Sequence, residues 1–165
     1  MTTSLTSNLY DTIAPLLGRT PADPELAAVL GALGEIPFRG LASDEFSRYI
    51  AKKQDGHCLL FEDAETVRHP AAQGKARKTP VFTGCFFYPG GVDEYAQFTG
   101  VLPEGILWTD TAATLLAKLG APKNEIMNKK TGRLKAHRWS KGELLLTASY
   151  KTDASALHHI YMGIV

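Results

Sequence analysis

Cysteine is scarce in this chain: Cys58 and Cys85 stand alone among 165 residues. That is too few for the disulfide framework on which small secreted scaffolds depend. Both lie in apolar, strand-like runs where a free thiol packs as a small hydrophobe, so a structural disulfide is not expected. No run approaches the roughly 20 apolar residues that cross a bilayer. The stretch from Met1 to Asn8 has neither a basic region nor an apolar one, so no signal peptide is expected and the cytoplasm is the implied compartment. Charge of one sign is lacking as well. Eighteen basic and 17 acidic residues leave a formal net charge of +1, too little for a whole-molecule field that draws the chain onto nucleic acid or an anionic membrane.

Catalytic signatures are equally sparse. Gly-x-Ser-x-Gly, His-Glu-x-x-His and the dinucleotide-binding glycine fingerprint do not occur. Gly74-Lys-Ala-Arg-Lys-Thr79 has the flavour of a phosphate loop but not its Gly-x-x-x-x-Gly-Lys-Ser/Thr spacing. His57-Cys58 with Cys85, and His158-His159, supply no third or fourth ligand at a sensible spacing, and strand neighbours point to opposite faces. The acids Asp44, Glu45, Glu62, Asp63 and Glu65 read as solvated strand ends. No metal, cofactor or catalytic residue is expected, and the chain reads as a non-enzyme.

What is present is a repeated pattern. Asp23-Pro-Glu-Leu-Ala-Ala-Val-Leu-Gly-Ala-Leu-Gly34 leads through Pro37 to a turn at Asp55-Gly56. Thr109-Asp-Thr-Ala-Ala-Thr-Leu-Leu-Ala-Lys-Leu-Gly120 leads through Pro122 to a turn at Lys141-Gly142. Gly34 and Gly120 are 86 residues apart, as are Gly56 and Gly142. Each copy starts as a capped helix, with Asp23 before Pro24 in one and Asp110 in the other, and stops at Leu-Gly. The helix faces are Leu26, Val29, Leu30 and Leu33 in the first copy, and Leu115, Leu116 and Leu119 in the second. Strands follow at Phe46 to Lys53, Cys58 to Phe61 and Pro80 to Tyr88, then at Arg133 to Trp139, Glu143 to Tyr150 and Leu157 to Val165. An earlier helix from Ser7 to about Leu17 is interrupted by Pro15 and should be short, kinked or split. Residues 65–79 read as an exposed basic loop, and Asp93 to Leu107 has no clear assignment.

The predicted fold is α+β: two repeated α-β-β-β units plus an N-terminal helix, forming an antiparallel sheet covered by helices on one face. With 44% hydrophobic residues, 1–165 is expected to form a single globular domain, with an internal pseudo-repeat of 19–92 and 100–165. If Leu134 and Ala136 face the helices, then Arg133, Lys135, His137 and Trp139 alternate onto the free face, where Tyr49, Ala51 and Lys53 are the matching positions. Tyr49, Lys53, Lys135, His137 and Trp139 are therefore the candidate binding residues, since Trp, Tyr and Arg most often anchor interfaces.

The strings Leu17-Gly18-Arg19, Asp23-Pro-Glu-Leu26 and Leu33-Gly34, with Gly100-Val-Leu-Pro103-x-Gly105-Ile-x-Trp-x-Asp110 and Leu119-Gly120-Ala-Pro122, resemble small bacterial immunity proteins encoded beside secreted toxins, including type VI secretion effectors. The helix-plus-three-strand repeat is also similar to the β-lactamase inhibitor protein, a tandem duplication whose sheet grips an enzyme, and to the single-unit outer-membrane assembly lipoprotein. The resemblance implies an inhibitor that occludes the active site of a cognate protein toxin. Two alternatives stay open: a small-molecule or enzymatic pocket between the repeats, lined by Phe82, Phe86, Phe87 and Tyr88, and a nucleic-acid module using the basic loop 68–78 with Arg68, Lys75, Arg77 and Lys78.

Overall fold

A computed structural model describes residues 5, 7–152 and 154–164. The prolines and caps act where the sequence places them. Helix α1 (Leu9–Ile13) gives way at Pro15 to a single 3₁₀ turn, Ala14–Leu16, and the chain leaves through Gly18 at a φ of 86°. Asp23 caps helix α2 (Pro24–Ala32) by accepting from the Glu25 and Leu26 amides, with Pro24 in the first turn. Helix α3 (Ala112–Leu119) starts one residue later than the Asp110 expectation, on a capping box between Thr111 and Thr114. Asp110 instead braces the helix from outside, accepting from the Leu107 amide, the Thr114 hydroxyl and the Lys118 ammonium.

The strands are β1 (Ser47–Lys52), β2 (His57–Asp63), β3 (Pro80–Phe87), β4 (Pro89–Val92), β5 (Tyr95–Gln97), β6 (Asn124–Met127), β7 (Leu134–Lys141), β8 (Leu144–Tyr150) and β9 (Leu157–Ile164). Seven form one antiparallel sheet in the order β1-β2-β3-β9-β8-β7-β6, while β4 and β5 make a separate hairpin. The fold is thus α+β, as the alternation of patterns predicts. Edge strand β6 and the β4–β5 hairpin were not anticipated; β6 is only four residues and mostly exposed, so it carries no apolar run to read. Val165, the last residue of the predicted final strand, lies outside the described residues.

One face of the sheet carries the core. Ile50, Leu59, Phe61, Phe82, Cys85, Phe87, Leu146, Ala148, Ile160 and Met162 pack there beneath Leu9, Ile13 and Leu16, beneath Leu26 and Leu30 of α2, and beneath Leu115 of α3. The unassigned stretch contributes Phe98, Leu102 and Ile106 to the same layer. Among the described residues no α-helix lies over the other face, which is called the open face below. It is closed at both ends: the β4–β5 hairpin sits at one, and at the other Ala64, Val67 and Ala72 cover Val81. The segment expected to be a wholly exposed basic loop is therefore partly folded down. Buried Asp63 holds it, accepting from the Glu65 and Lys78 amides, and 3₁₀ turns form at Ala64–Thr66 and Pro70–Ala72.

Candidate functional site

Strand alternation decides what the open face displays. Tyr49 of β1, Phe86 of β3, His159 and Tyr161 of β9, Thr147 and Ser149 of β8 and Arg138 of β7 all point there, out of register with the core residues beside them. Their rings form a connected group. Phe86 lies 4.7 Å from Tyr161, 5.7 Å from His159 and 6.3 Å from Tyr49, between centroids. Tyr88 stacks on Tyr95 at 3.9 Å and touches His159 at 5.9 Å. Tyr49 is 58% exposed, whereas Phe86, Tyr88, His159 and Tyr161 are half-buried.

A glycine pair sets the height of this surface. Gly84 and Gly163 face each other across β3 and β9, and the Tyr161 ring lies over both so closely that a Cβ on either would overlap it. Beside Tyr161 the face dips into a depression of about 320 Å³ lined by Phe86, Lys135, Arg138, Thr147, Ser149 and His159 among others. Burial, with the neighbouring His158 and Lys135 charges, holds His159 down to about 4, and its Nδ1 lies 2.7 Å from that of His158. Burial pushes the Tyr88 phenol up to about 12 and raises Tyr161 further.

The predicted site residues divide. Tyr49 and Lys135 reach the open face as expected, on its two opposite sides, and Lys53 stands at its end with Nζ 3.1 Å from Glu94 and 5.7 Å from the Tyr95 ring. His137 and Trp139 do not. They pair with Ala148 and Leu146, which are core residues, so their side chains enter the core and are each only 2% exposed. Trp139 donates from Nε1 to the Gly120 carbonyl at 3.0 Å, tying the end of α3 to the sheet, and His137 Nδ1 lies 2.9 Å from the Tyr150 hydroxyl. The expected phase of β7 is reversed by one residue, which flips every side chain beyond it. Ala136 is small enough to floor the open face, while the large Trp139 takes the core. A bulge opposite Ile126 and Met127 leaves Lys135 as the extra residue, so Lys135 and Ala136 both border the depression.

The pocket expected between the repeats does not form from its four aromatics. Phe82 and Phe87 are fully buried in the core, and Phe86 and Tyr88 lie on the other side. In the basic loop, Arg77 pairs with Glu65 and Lys78 with Asp63, while Arg68 and Lys75 form no ion pair among the described residues. Cys58 and Cys85 are buried on opposite faces, one near Tyr95 and one in the core, and both thiols are raised by burial. Among the described residues, no three His, Cys, Asp or Glu side chains gather as a metal site, and no helix is long and apolar enough to cross a membrane.

No family profile matches the chain, and no curated protein matches it. Among solved structures, the chain is similar to a DUF4309 family protein (YjgB) from Bacillus subtilis, with a TM-score of 0.50 and 16% identity over 98% of this chain and 96% of that one. At this identity the likeness shows the fold alone. A cysteine-rich secretory protein from Staphylococcus aureus aligns with a TM-score of 0.48 and 7% identity over 91% of this chain and 44% of the other.

Proposed function

We propose that this chain is an immunity protein, which docks the open face of its sheet on a cognate bacterial toxin and blocks the toxin's active site. The observation that carries the reading is the connected ring group of Tyr49, Phe86, Tyr161 and His159, half-exposed across the middle of an uncovered antiparallel sheet. Aromatic anchors of this kind dominate binding energy, and an interface needs only roughly 800 Å² per partner. The resemblance of the sequence to immunity proteins supplies the class of partner and the cytoplasmic setting. Inhibition by occlusion asks for a complementary surface and no catalytic group.

We also infer that the sheet arose from two copies of one unit. Supporting this, β1-β2-β3 and β7-β8-β9 meet antiparallel at β3 and β9, and a helix precedes each set. Gly34, Gly56, Gly120 and Gly142 all take positive φ at the shared spacing. Strand β6 is an addition of the second copy.

The test uses the toxin encoded beside this chain. Tyr49→Ala and Phe86→Ala are expected to weaken its binding by roughly tenfold or more in calorimetry, and to remove protection of cells that express it, with circular dichroism unchanged. A wild-type chain that neither binds nor protects overturns the immunity reading. Folded variants that bind like wild type overturn the placement on the open face.

A further inference from the structure

The near-zero net charge hides a strong polarity. Residues 123–151 hold eight basic and two acidic side chains, a formal +6, against ten basic and 15 acidic elsewhere, a formal −5. Pairing follows the same division. Outside this segment, eight of the ten basic residues are ion-paired to carboxylates at 2.7 to 3.5 Å. Among the described residues, none of the eight basic residues inside it is ion-paired.

The fold gathers four of them, Arg133, Lys135, Arg138 and Lys151, at two depressions. Lys135 borders the depression beside Tyr161 and also a second one of about 410 Å³ at the end of the sheet, where Arg133, Lys151, Asn128 and Thr131 line the wall. Arg138 lies in the first, held by a 3.4 Å bond from Nε to the Thr147 hydroxyl. No described carboxylate lines either depression. The result is a band of cations, none of them ion-paired among the described residues, running from the aromatic patch around the β7–β8 end of the sheet.

Resting on the docking reading above, we propose that this basic end receives a carboxylate-rich surface of the partner protein, so that the partner's docking site is acidic. Like charges juxtaposed at an interface oppose association, so a partner whose own cleft is basic, as one that grips nucleic acid must be, is disfavoured. A protein surface fits better than a nucleic acid strand because the rings are already engaged with one another. Phe86 packs against Tyr161 at 47° and His159 at 55°, and Tyr95 covers a face of Tyr88, so few ring faces are left for bases to stack on.

The experiment measures binding of the full chain to a labelled random copolymer of glutamate and tyrosine by fluorescence anisotropy, with oligo-dT as competitor. Binding is expected at low salt, to weaken at least roughly tenfold between about 50 and about 300 mM salt, and to be lost in the double variant Arg133→Glu, Lys135→Glu. The control Arg68→Glu, Lys75→Glu carries the same charge change on the other basic segment and is expected to bind like wild type. No binding at low salt, or equal loss in the control, overturns the proposal. Displacement of the copolymer by an equal or smaller charge concentration of oligo-dT overturns it in favour of nucleic acid. Because the assay uses neither the toxin nor a substitution at Tyr49 or Phe86, its failure is separable from failure of the immunity reading.

Discussion

At the scale of single residues, the two tryptophans show how far side-chain chemistry depends on place. Both are the type that anchors interfaces, yet Trp139 donates to the Gly120 carbonyl and Trp108 to the Phe98 carbonyl at 2.9 Å, so each pins a covering segment to the core. Trp139→Ala is expected to cost about 3 to 5 kcal/mol in urea denaturation, as a deleted large core side chain does. A cost below about 1 kcal/mol would place the side chain at the surface instead. The sequence names Tyr49 and Lys135 as open-face residues; Tyr49 reaches that face by strand alternation and Lys135 only through the bulge. It misplaces His137 and Trp139 because Leu134 and Ala136 look like the apolar phase of the strand, whereas burial follows volume and the bulge breaks the alternation. In the sequence Phe86 stands out only as a candidate pocket residue and His159 only as a rejected metal ligand, while Tyr161 and Arg138 are visible only as members of strands. A period of two separates the sides of a strand without saying which side is covered.

At the scale of elements, local signals and outcomes agree where backbone conformation is the issue. Asp23-Pro24, the stop at Gly120 and the split at Pro15 all act as their stereochemistry requires. The two hairpin glycines share a positive φ, 76° at Gly56 and 62° at Gly142, yet their surroundings differ. A Cβ on Gly56 would strike the backbone of Ala96, Gln97 and Phe98, while nothing lies within 4 Å of one on Gly142. Gly142→Ala is therefore expected to lose only the left-handed backbone penalty, about 1 to 2 kcal/mol. Gly56→Ala should lose distinctly more, because it also forces β5 and the residue after it away. Equal shifts in thermal unfolding for the two variants would contradict this packing. The sequence gives both turns alike, since the contact that separates them comes from a stretch some 40 residues further along that carries no periodic pattern.

At the scale of the whole molecule, acid is the expected stress. His57, His137 and His159 are all held below the ordinary histidine range, with burial the leading cause in each. Their neutral forms are the folded ones, so the unfolded chain takes up protons first as the pH drops through about 6.5. Stability from this source is complete above that value and falls with the pH, for His159 until about 4. His159 alone accounts for about 3 kcal/mol of that loss. Urea midpoints at pH 7 and near pH 4 are expected to differ accordingly, and His159→Gln to narrow the gap; a gap that His159→Gln leaves unchanged would show that this ring is not held neutral.

Local residue chemistry set the class of fold, the order and approximate bounds of α2, α3 and six of the seven strands of the main sheet, and the hairpin turns at Gly56 and Gly142. Those are properties of neighbouring residues: caps, proline and glycine stereochemistry, and the period of apolar side chains. Tertiary structure alone decided which side of each strand is covered, that β3 pairs with β9, and that Phe86, His159 and Tyr161 share one depression of the open face with Lys135 and Arg138. Strand pairing between distant segments, here Gly84 with Gly163, brings those groups together. Spacing along the chain carries no record of it.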